Sequence, residues 1–563
     1  RLNIMTQDGG VAERNVVENK RYGIAPSLAF GLGTPTRLYL YSQHIRQDNV
    51  PDGGIPSIGI AGYNAPTTLT TGERTALMAA PRVNRENYYG LSSDYEKIDA
   101  DMATARIEHD FGKGFKLTNI SRYGRSKMDR VMTGINTIAP VNVSDPSTWT
   151  VSRSRQSTLQ ENEILANQTN LNVEFATASI QHTLSTGAEM LYEKQLSTTR
   201  GGLGTGANAS VANLYNPNPN DVITGLNPQP NGVYSDGSTT TLALYAFDTL
   251  KLNERFQLMG GLRFEHYKTE ADASTAVTAN NQLFYPGYIV GQQAPSKIAK
   301  ADELTSWKLG AVYKPAHNGS IYAAIANSFT PPGSANFALT AQRSSLDSGA
   351  MDAQKTSNIE IGTKWDLLHK RLMLTAALYR TENKNEIPQE VSPGVYDQIG
   401  KRRIEGLELG AIGNITNAWQ ISAGLATMNT KFLEGTTSTS TTTASNNVSG
   451  ASTRWSPKLT ATLWSTYALN NTLTLGGGAR YVSEQKRVVD PNVSLASQNN
   501  VPSIPAYWVA DAMASYKINK NVSVRLNVYN LFDKFYINSL NNSGARLTVG
   551  APRSGVLSAN IQF

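Results

Sequence analysis

The sequence predicts an all-β fold, a single large antiparallel transmembrane β-barrel of about twenty strands with short periplasmic turns and long extracellular loops. Three observations predict it. Ser554 to Phe563 alternates without a slip, placing Leu557, Ala559, Ile561 and Phe563 on one face and Val556, Ser558, Asn560 and Gln562 on the other. A period of two over a full strand means one apolar and one wet face. Second, the same alternation recurs along the chain between connections that are short and long by turns. Third, no apolar run reaches the roughly 20 residues a membrane helix needs, and mean hydropathy is negative, as for a wall whose inner face is polar.

Length fits this reading. Compact cores rarely grow past about 250–300 residues, yet no linker or composition break divides these 563 residues. A barrel grows by adding strands, so residues 1–563 read as one barrel domain. The absence of cysteine excludes disulfides and thiolate metal sites. A net charge of +7, spread along the chain, argues against nucleic acid as a partner. The chain opens with Leu2 and Ile4 alternating against Asn3 and Met5, so it is expected to begin inside a strand, as a fragment or part of a mature chain.

Taken in order, Arg1–Gln7 reads as a short strand and Asp8–Lys20 as a polar loop. Arg21–Leu32 and Arg37–Asn49 then meet across Gly33-Thr34-Pro35-Thr36, and a long loop runs from Val50 to about Ser93. Asp94–Phe111 and Phe115–Thr133 meet at Gly112-Lys113-Gly114, Ser157–Phe175 and Ser179–Thr198 at Ala176–Ala178, and Ser238–Leu252 and Phe256–Thr269 at Asn253–Arg255. Glu303–Tyr313 and Ser320–Phe329 flank the hairpin signal His317-Asn318-Gly319. Lys355–Asp366 pairs with Arg371–Thr381, Ile404–Ile412 with Trp419–Phe432, Lys458–Leu469 with Thr472–Tyr481, and Tyr507–Ile518 with Val522–Tyr536. The alternate connections, such as Gly134–Arg155, Gly201–Gly237 and Thr330–Gln354, are long and irregular. The Thr/Ser-rich run Thr436–Ser445 reads as a mobile loop tip.

Alternation sorts the faces. In Phe256–Thr269, Phe256, Leu258, Gly260, Leu262 and Phe264 alternate with Arg263, Glu265 and Tyr267, so charges fall on the lumenal side. Tyr467, Tyr481, Trp508 and Tyr516 lie near strand ends on the outer face, where an aromatic girdle belongs. Catalysis finds no support. The six histidines are scattered, and Glu265 and His266, as strand neighbours, point to opposite faces. Gly202-Leu203-Gly204-Thr205-Gly206 lacks the strand–loop–helix setting of a phosphate loop, and no nucleophile–base set stands out.

Asn530-Leu531-Phe532-Asp533-Lys534-Phe535-Tyr536, followed by the closing strand to Phe563, resembles the C-terminal signature of the TonB-dependent outer-membrane receptors. Supporting matches are Asn327–Pro332, Ile359–Trp365, Ile404–Glu408 and, for the ferric-siderophore branch with its catecholate receptors, Pro51-Asp52-Gly53-Gly54-Ile55-Pro56. The resemblance implies a 22-stranded barrel whose first two strands, globular plug and TonB box are not in this sequence, with Arg1–Gln7 as the third strand. It implies active uptake of ferric siderophores, catecholates first, across the outer membrane of a Gram-negative bacterium. TonB–ExbB–ExbD would act through the N-terminal region, on a monomer surrounded by outer-membrane lipid. Iron would arrive inside its chelator, so no cofactor and no protein metal ligand is implied. A passive porin, a receptor for haem, vitamin B12 or an oligosaccharide, and an adhesive barrel remain alternatives.

A bulky, anionic, aromatic ligand calls for aromatic faces and guanidinium groups at the mouth. Arg82, Arg85, Tyr88 and Tyr89 combine both, as do Tyr285 and Tyr288, while Phe329 and Arg343 bracket a third loop. Each could equally brace its loop. Arg263, Glu360, Glu408, Arg480, Asp511 and Arg525 are lumenal charges that either stay solvated or hold the plug.

Overall fold

A computed structural model describes residues 1–204, 211–334, 336–343, 345–392, 395–434, 449–489 and 499–562, and side chains outside 387–397 and 399. Phe563, the Thr436–Ser445 run, and Thr205 and Gly206 lie outside the described residues.

Twenty strands form the wall. They are β1 Leu2–Val11, β2 Arg14–Phe30, β3 Thr36–Asn49, β4 Tyr95–Gly112, β5 Phe115–Ala139, β6 Thr150–Thr177 and β7 Ile180–Leu203. Next come β8 Leu226–Lys251, β9 Phe256–Ala276, β10 Gln293–Ala316, β11 Gly319–Thr330, β12 Gln354–Leu367, β13 Leu372–Ser392 and β14 Val395–Asn414. The series ends with β15 Trp419–Glu434, β16 Leu459–Ala468, β17 Leu473–Val482, β18 Tyr507–Lys517, β19 Val522–Tyr529 and β20 Ser554–Ile561. Each pairs antiparallel with the next in chain order, the plain meander of a membrane barrel wall.

The turn rim follows local backbone chemistry. Gly112, Lys113 and Gly114 are all left-handed, with φ of 75°, 52° and 84°. A Cβ on Gly114 would stand 2.8 Å from the Glu174 carbonyl oxygen, so glycine is needed there for space as well as φ. Ala316 pairs directly with Gly319, leaving His317-Asn318 as a two-residue turn.

Register fixes the faces. Leu262, Leu244 and Leu557 are among the most exposed side chains, at 60%, 62% and 74%, because their face is built to meet lipid. The closing row points outward as expected: Leu557 pairs with Leu526, and Ala559 with Val524. Tyr467, Trp508 and Tyr516 are exposed on that face, and Tyr481 stacks against Trp508 at 4.7 Å between ring centroids.

The loop rim departs from expectation in two ways. Asp8–Lys20 is no loop: β1 and β2 run on through it and turn at Ala12-Glu13, with Val11 opposite Arg14. Likewise β5 to β8 rise well past their expected ends, so much of Gly134–Arg155 and Gly201–Gly237 is strand. Above the bilayer both sheet faces are wet, so alternation fades while backbone pairing continues.

The wall also has two edges. Among the described residues β1 pairs only with β2, and β20 only with β19. The segment between β3 and β4 reaches both edges at the loop rim. Asn15 donates its backbone N–H to the Glu86 carbonyl on one side, while Ile55 and Pro56 pair with Leu547 and Arg546 on the other.

The one sizeable hydrophobic core among the described residues lies in the loops, above the wall. Ile55, Ile58, Leu77, Val83, Trp149, Leu214, Val501, Ile504, Ile537 and Leu547 are buried together there. They come from five connections, and Ile135 and Ile138 at the top of β5 and Val151 at the top of β6 join them. Helix α1, Thr71–Ala79, supplies Leu77 and starts with a capping box between Thr70 and Glu73. This loop cap packs like a small soluble domain.

Candidate ligand-binding site at the loop cap

Pro51–Pro56 is the knot that orients the cap. The Asp52 carboxylate accepts from Arg14 Nε and Nη2 at 2.8 and 2.7 Å, a bidentate pair, and also from the Gly54 N–H at 2.8 Å. Gly54 is left-handed, φ 81°, and a Cβ there would meet the Leu547 carbonyl at 2.6 Å. A larger residue would push the final loop off this segment.

The first cluster divides. Tyr88 and Tyr89 are 3% and 1% exposed. Their hydroxyls donate to the Pro51 and Leu214 carbonyls, at 3.3 and 2.5 Å, and burial pushes both phenols up from their ordinary value. This corrects their assignment as ligand-facing aromatics: an aromatic side chain with a buried hydroxyl partner braces the cap instead. Arg85 is likewise engaged. It donates to both Asp533 oxygens, at 3.0 and 2.9 Å, pairs with Glu13, and accepts from Arg14 through its carbonyl. Burial lowers its pKa, but the hydrogen bond to Asp533 and the field of Glu13 outweigh that and hold it above the usual arginine range. Glu13 belongs to the β1–β2 turn and Asp533 follows β19, so Arg85 clamps the two sides of the wall together.

Arg82 is different. It is exposed, its guanidinium carbon lies 3.7 Å from the Phe535 ring centroid, and no described carboxylate pairs with it. Partial burial and the neighbouring Arg85 cation lower its pKa, as expected of a cation short of counter-charge. With Gly59, Val83, Asn84, Arg85, Asp533 and Phe535 it lines an open cleft of about 720 Å³. Phe535 and Asp533 were missed as site residues although they sit in the Asn530–Tyr536 motif.

That motif is a folded corner. Asn530, left-handed at φ 47° and 1% exposed, donates to the Lys534 and Ala551 carbonyls at 2.9 Å each and accepts from the Lys534 N–H at 2.8 Å. The Asp533 carboxylate accepts from the Arg553 N–H and from Arg85, which together hold it below the usual carboxylate range.

Tyr285 and Tyr288 sit half-exposed in the loop between β9 and β10, beside exposed Leu283, Ile289 and Val290. Together they make an aromatic and aliphatic tip that sequence reasoning read only through its tyrosines. Phe329 is half-buried against Tyr267, Leu304 and Ala353, with Lys355 Nζ 5.9 Å over its ring, so it serves the wall top. Arg343 is exposed on the following loop.

Register places Arg263, Glu360, Glu408, Arg480, Asp511 and Arg525 on the face opposite the lipid row. Four are engaged, two within the wall and two with the corner that follows β19. Arg263 pairs with Glu189 and Glu265 at 2.8 Å, Tyr322 donates to Glu360 at 2.6 Å, and Arg480 reaches the Tyr536 hydroxyl at 3.2 Å. Asp511 accepts the Asn530 N–H at 2.7 Å. Glu408 and Arg525 have no side-chain partner among the described residues.

Residues 33–531 match the family described as TonB dependent receptor-like, beta-barrel. The catecholate siderophore receptor Fiu of Escherichia coli K12 is 40% identical over 574 aligned residues, covering 100% of this chain and 72% of Fiu. The probable TonB-dependent siderophore receptor PiuA of Acinetobacter baumannii is 30% identical, covering 99% and 72%. The crystal structure of E. coli K12 Fiu in its closed form superposes with a TM-score of 0.90 at 39% identity, over 100% of this chain and 77% of that one. The chain therefore belongs to the TonB-dependent receptor β-barrel family of the Gram-negative outer membrane.

Proposed function

We propose that this barrel imports ferric siderophores of the catecholate class, in a process energised through TonB. The observation that carries the reading is identity at 40% along the whole chain to a catecholate siderophore receptor. The cleft supports it. A ferric catecholate offers aromatic faces and negative charge, and Arg82, held over Phe535 with no paired carboxylate among the described residues, offers a cation and a π surface to both. The apolar tip with Tyr285 and Tyr288 supplies a second aromatic surface. Iron is cargo inside its chelator and needs no ligand from the chain. Glu408 and Arg525 are the lumenal charges best placed to hold a plug, since no side chain among the described residues pairs with them.

The test is uptake of radiolabelled ferric catecholate and ferric hydroxamate by cells whose only such receptor is this protein. Catecholate uptake that disappears with TonB supports the reading; equal uptake without TonB, or none of any ferric chelator, refutes it. Arg82→Ala is expected to weaken apparent affinity roughly 3- to 30-fold, the range of a cation–π contact.

A further inference from the structure

Two rungs of the wall's outer face break its apolar pattern. On β5, Phe115 and Leu117 point outward towards the turn rim and Tyr123 towards the loops, with Asn119 and Ser121 between them. On β6 the same order gives Val173 and Leu171, then Thr169 and Asn167, then Leu165. Register extends both rungs sideways: Ile107, Asn119, Thr169 and Ala188 form one, and Ala105, Ser121, Asn167 and Met190 the other. Ile107, Tyr123, Leu165 and Met190 are exposed, and Ala188 registers with exposed Leu244, so both rungs belong to the outer face. Apolar residues before and after them on each strand put the four polar side chains within the hydrocarbon. Further round the wall the pattern holds, where Leu309, Ile325 and Ile359 register in one aliphatic, exposed row.

The polar patch is a closed network with two capacities to spare. Asn119 Nδ2 donates to Asn167 Oδ1 at 3.2 Å and to Thr169 Oγ1 at 2.8 Å. Asn167 Nδ2 donates to Ser121 Oγ at 2.8 Å and to Asn119 Oδ1 at 3.4 Å, and the Ser121 hydroxyl donates to Asn119 Oδ1 at 3.3 Å. Both donors of each amide are then spent. The Thr169 hydroxyl still has a proton to give, with no acceptor among the described residues, and Asn167 Oδ1 keeps a second lone pair. Acyl chains supply neither donor nor acceptor. Ala105 and Ala188, short side chains at the ends of the two rungs, let another surface come close.

An unspent donor and an unspent acceptor on one strand complement a copy of themselves. With a two-fold axis along the membrane normal beside β6, each copy donates from Thr169 to the partner's Asn167 and accepts the same bond in return. We propose that two copies of this chain associate side by side in the membrane through β5 and β6, in place of the monomer that the family likeness implies.

The test reconstitutes the full chain, fluorescently labelled, in phosphatidylcholine bilayers and reads monomer and dimer by single-molecule photobleaching across lipid-to-protein ratios. A dimer that grows with protein density is expected. Asn167→Leu with Thr169→Val should weaken association about tenfold, two hydrogen bonds across a membrane interface being worth roughly threefold each. Heat-modifiable gel mobility reads folding of the variant. In whole cells, Thr169→Cys should give a disulfide-linked dimer on mild oxidation, the chain having no other cysteine, and Ile325→Cys should not. Monomer at every ratio would overturn the proposal. So would unchanged association of the folded double variant, or cross-linking at 325 equal to that at 169.

Discussion

The wall and the loop cap solve opposite problems with the same residues. In the wall, leucine is most exposed where it is most useful, as at Leu262, and arginine turns inward to ion pairs, as at Arg263. In the cap, Leu77 and Leu214 are fully buried, and Arg155 meets Asp94 in a pair with 3% and 0% side-chain exposure. A side chain's contribution here depends on which solvent its strand or loop is set against. Outward leucine passes from water into lipid as the strand inserts, whereas cap leucine passes from water into a packed protein core.

Disturbing the buried pair should separate the two regions most. The Asp94 carboxylate accepts from Arg155, from the Thr133 N–H and hydroxyl, and from the Leu91 N–H. Asp94→Ala leaves Arg155 charged and buried and should destabilise the cap by about 3–5 kcal/mol. Hydrogen exchange should accelerate in residues 50–94 while wall amides keep their protection.

The paired substitutions Leu77→Ala and Leu262→Ala sharpen the contrast. The first should cost about 2–5 kcal/mol of cap stability through its cavity. The second should cost about 1–2 kcal/mol, the lost transfer from water to lipid alone, because lipid fills the vacated space and leaves no cavity. Conversely, Leu262→Arg should cost about 2–4 kcal/mol near the bilayer midplane. Folding titrations in lipid vesicles read the wall variants and hydrogen exchange reads the cap variant.

A smaller effect is expected from alkali. Burial raises Tyr88 and Tyr89, and burial with nearby Tyr215 pushes Tyr63 up to about 12. A raised phenol contributes stability that is intact below its unfolded value of about 10 and lost as pH climbs through the folded one. Absorbance at the phenolate band should show these three ionising late and together with loosening of the cap. Acid acts through Asp533, whose lowered pKa means its contribution is intact above pH about 4 and lost as pH falls through the folded value.

How much was legible follows the same division. Strand identity, the turn rim and the face of each charge could be read because a bilayer imposes a strict two-residue period. Strand tops could not, since above the membrane β5 to β8 have water on both faces and the period lapses. The cap's core could not either. Its members, such as Ile55, Trp149, Val501 and Leu547, are scattered over hundreds of residues and share no local pattern. For the same reason Tyr88 and Tyr89 looked like ligand contacts. Aromatic residues beside arginines in a long loop read alike whether they face a ligand or the Leu214 carbonyl.

The central claim is that β9 divides lipid from lumen residue by residue, and the chain, having no cysteine, suits a direct measurement. Single cysteines from 258 to 265, spin-labelled in a bilayer, should report oxygen access at 258, 260, 262 and 264 and access to a water-soluble nickel chelate at 259, 261, 263 and 265. Uniform access along the strand, or oxygen access at 263 and 265, would contradict the account.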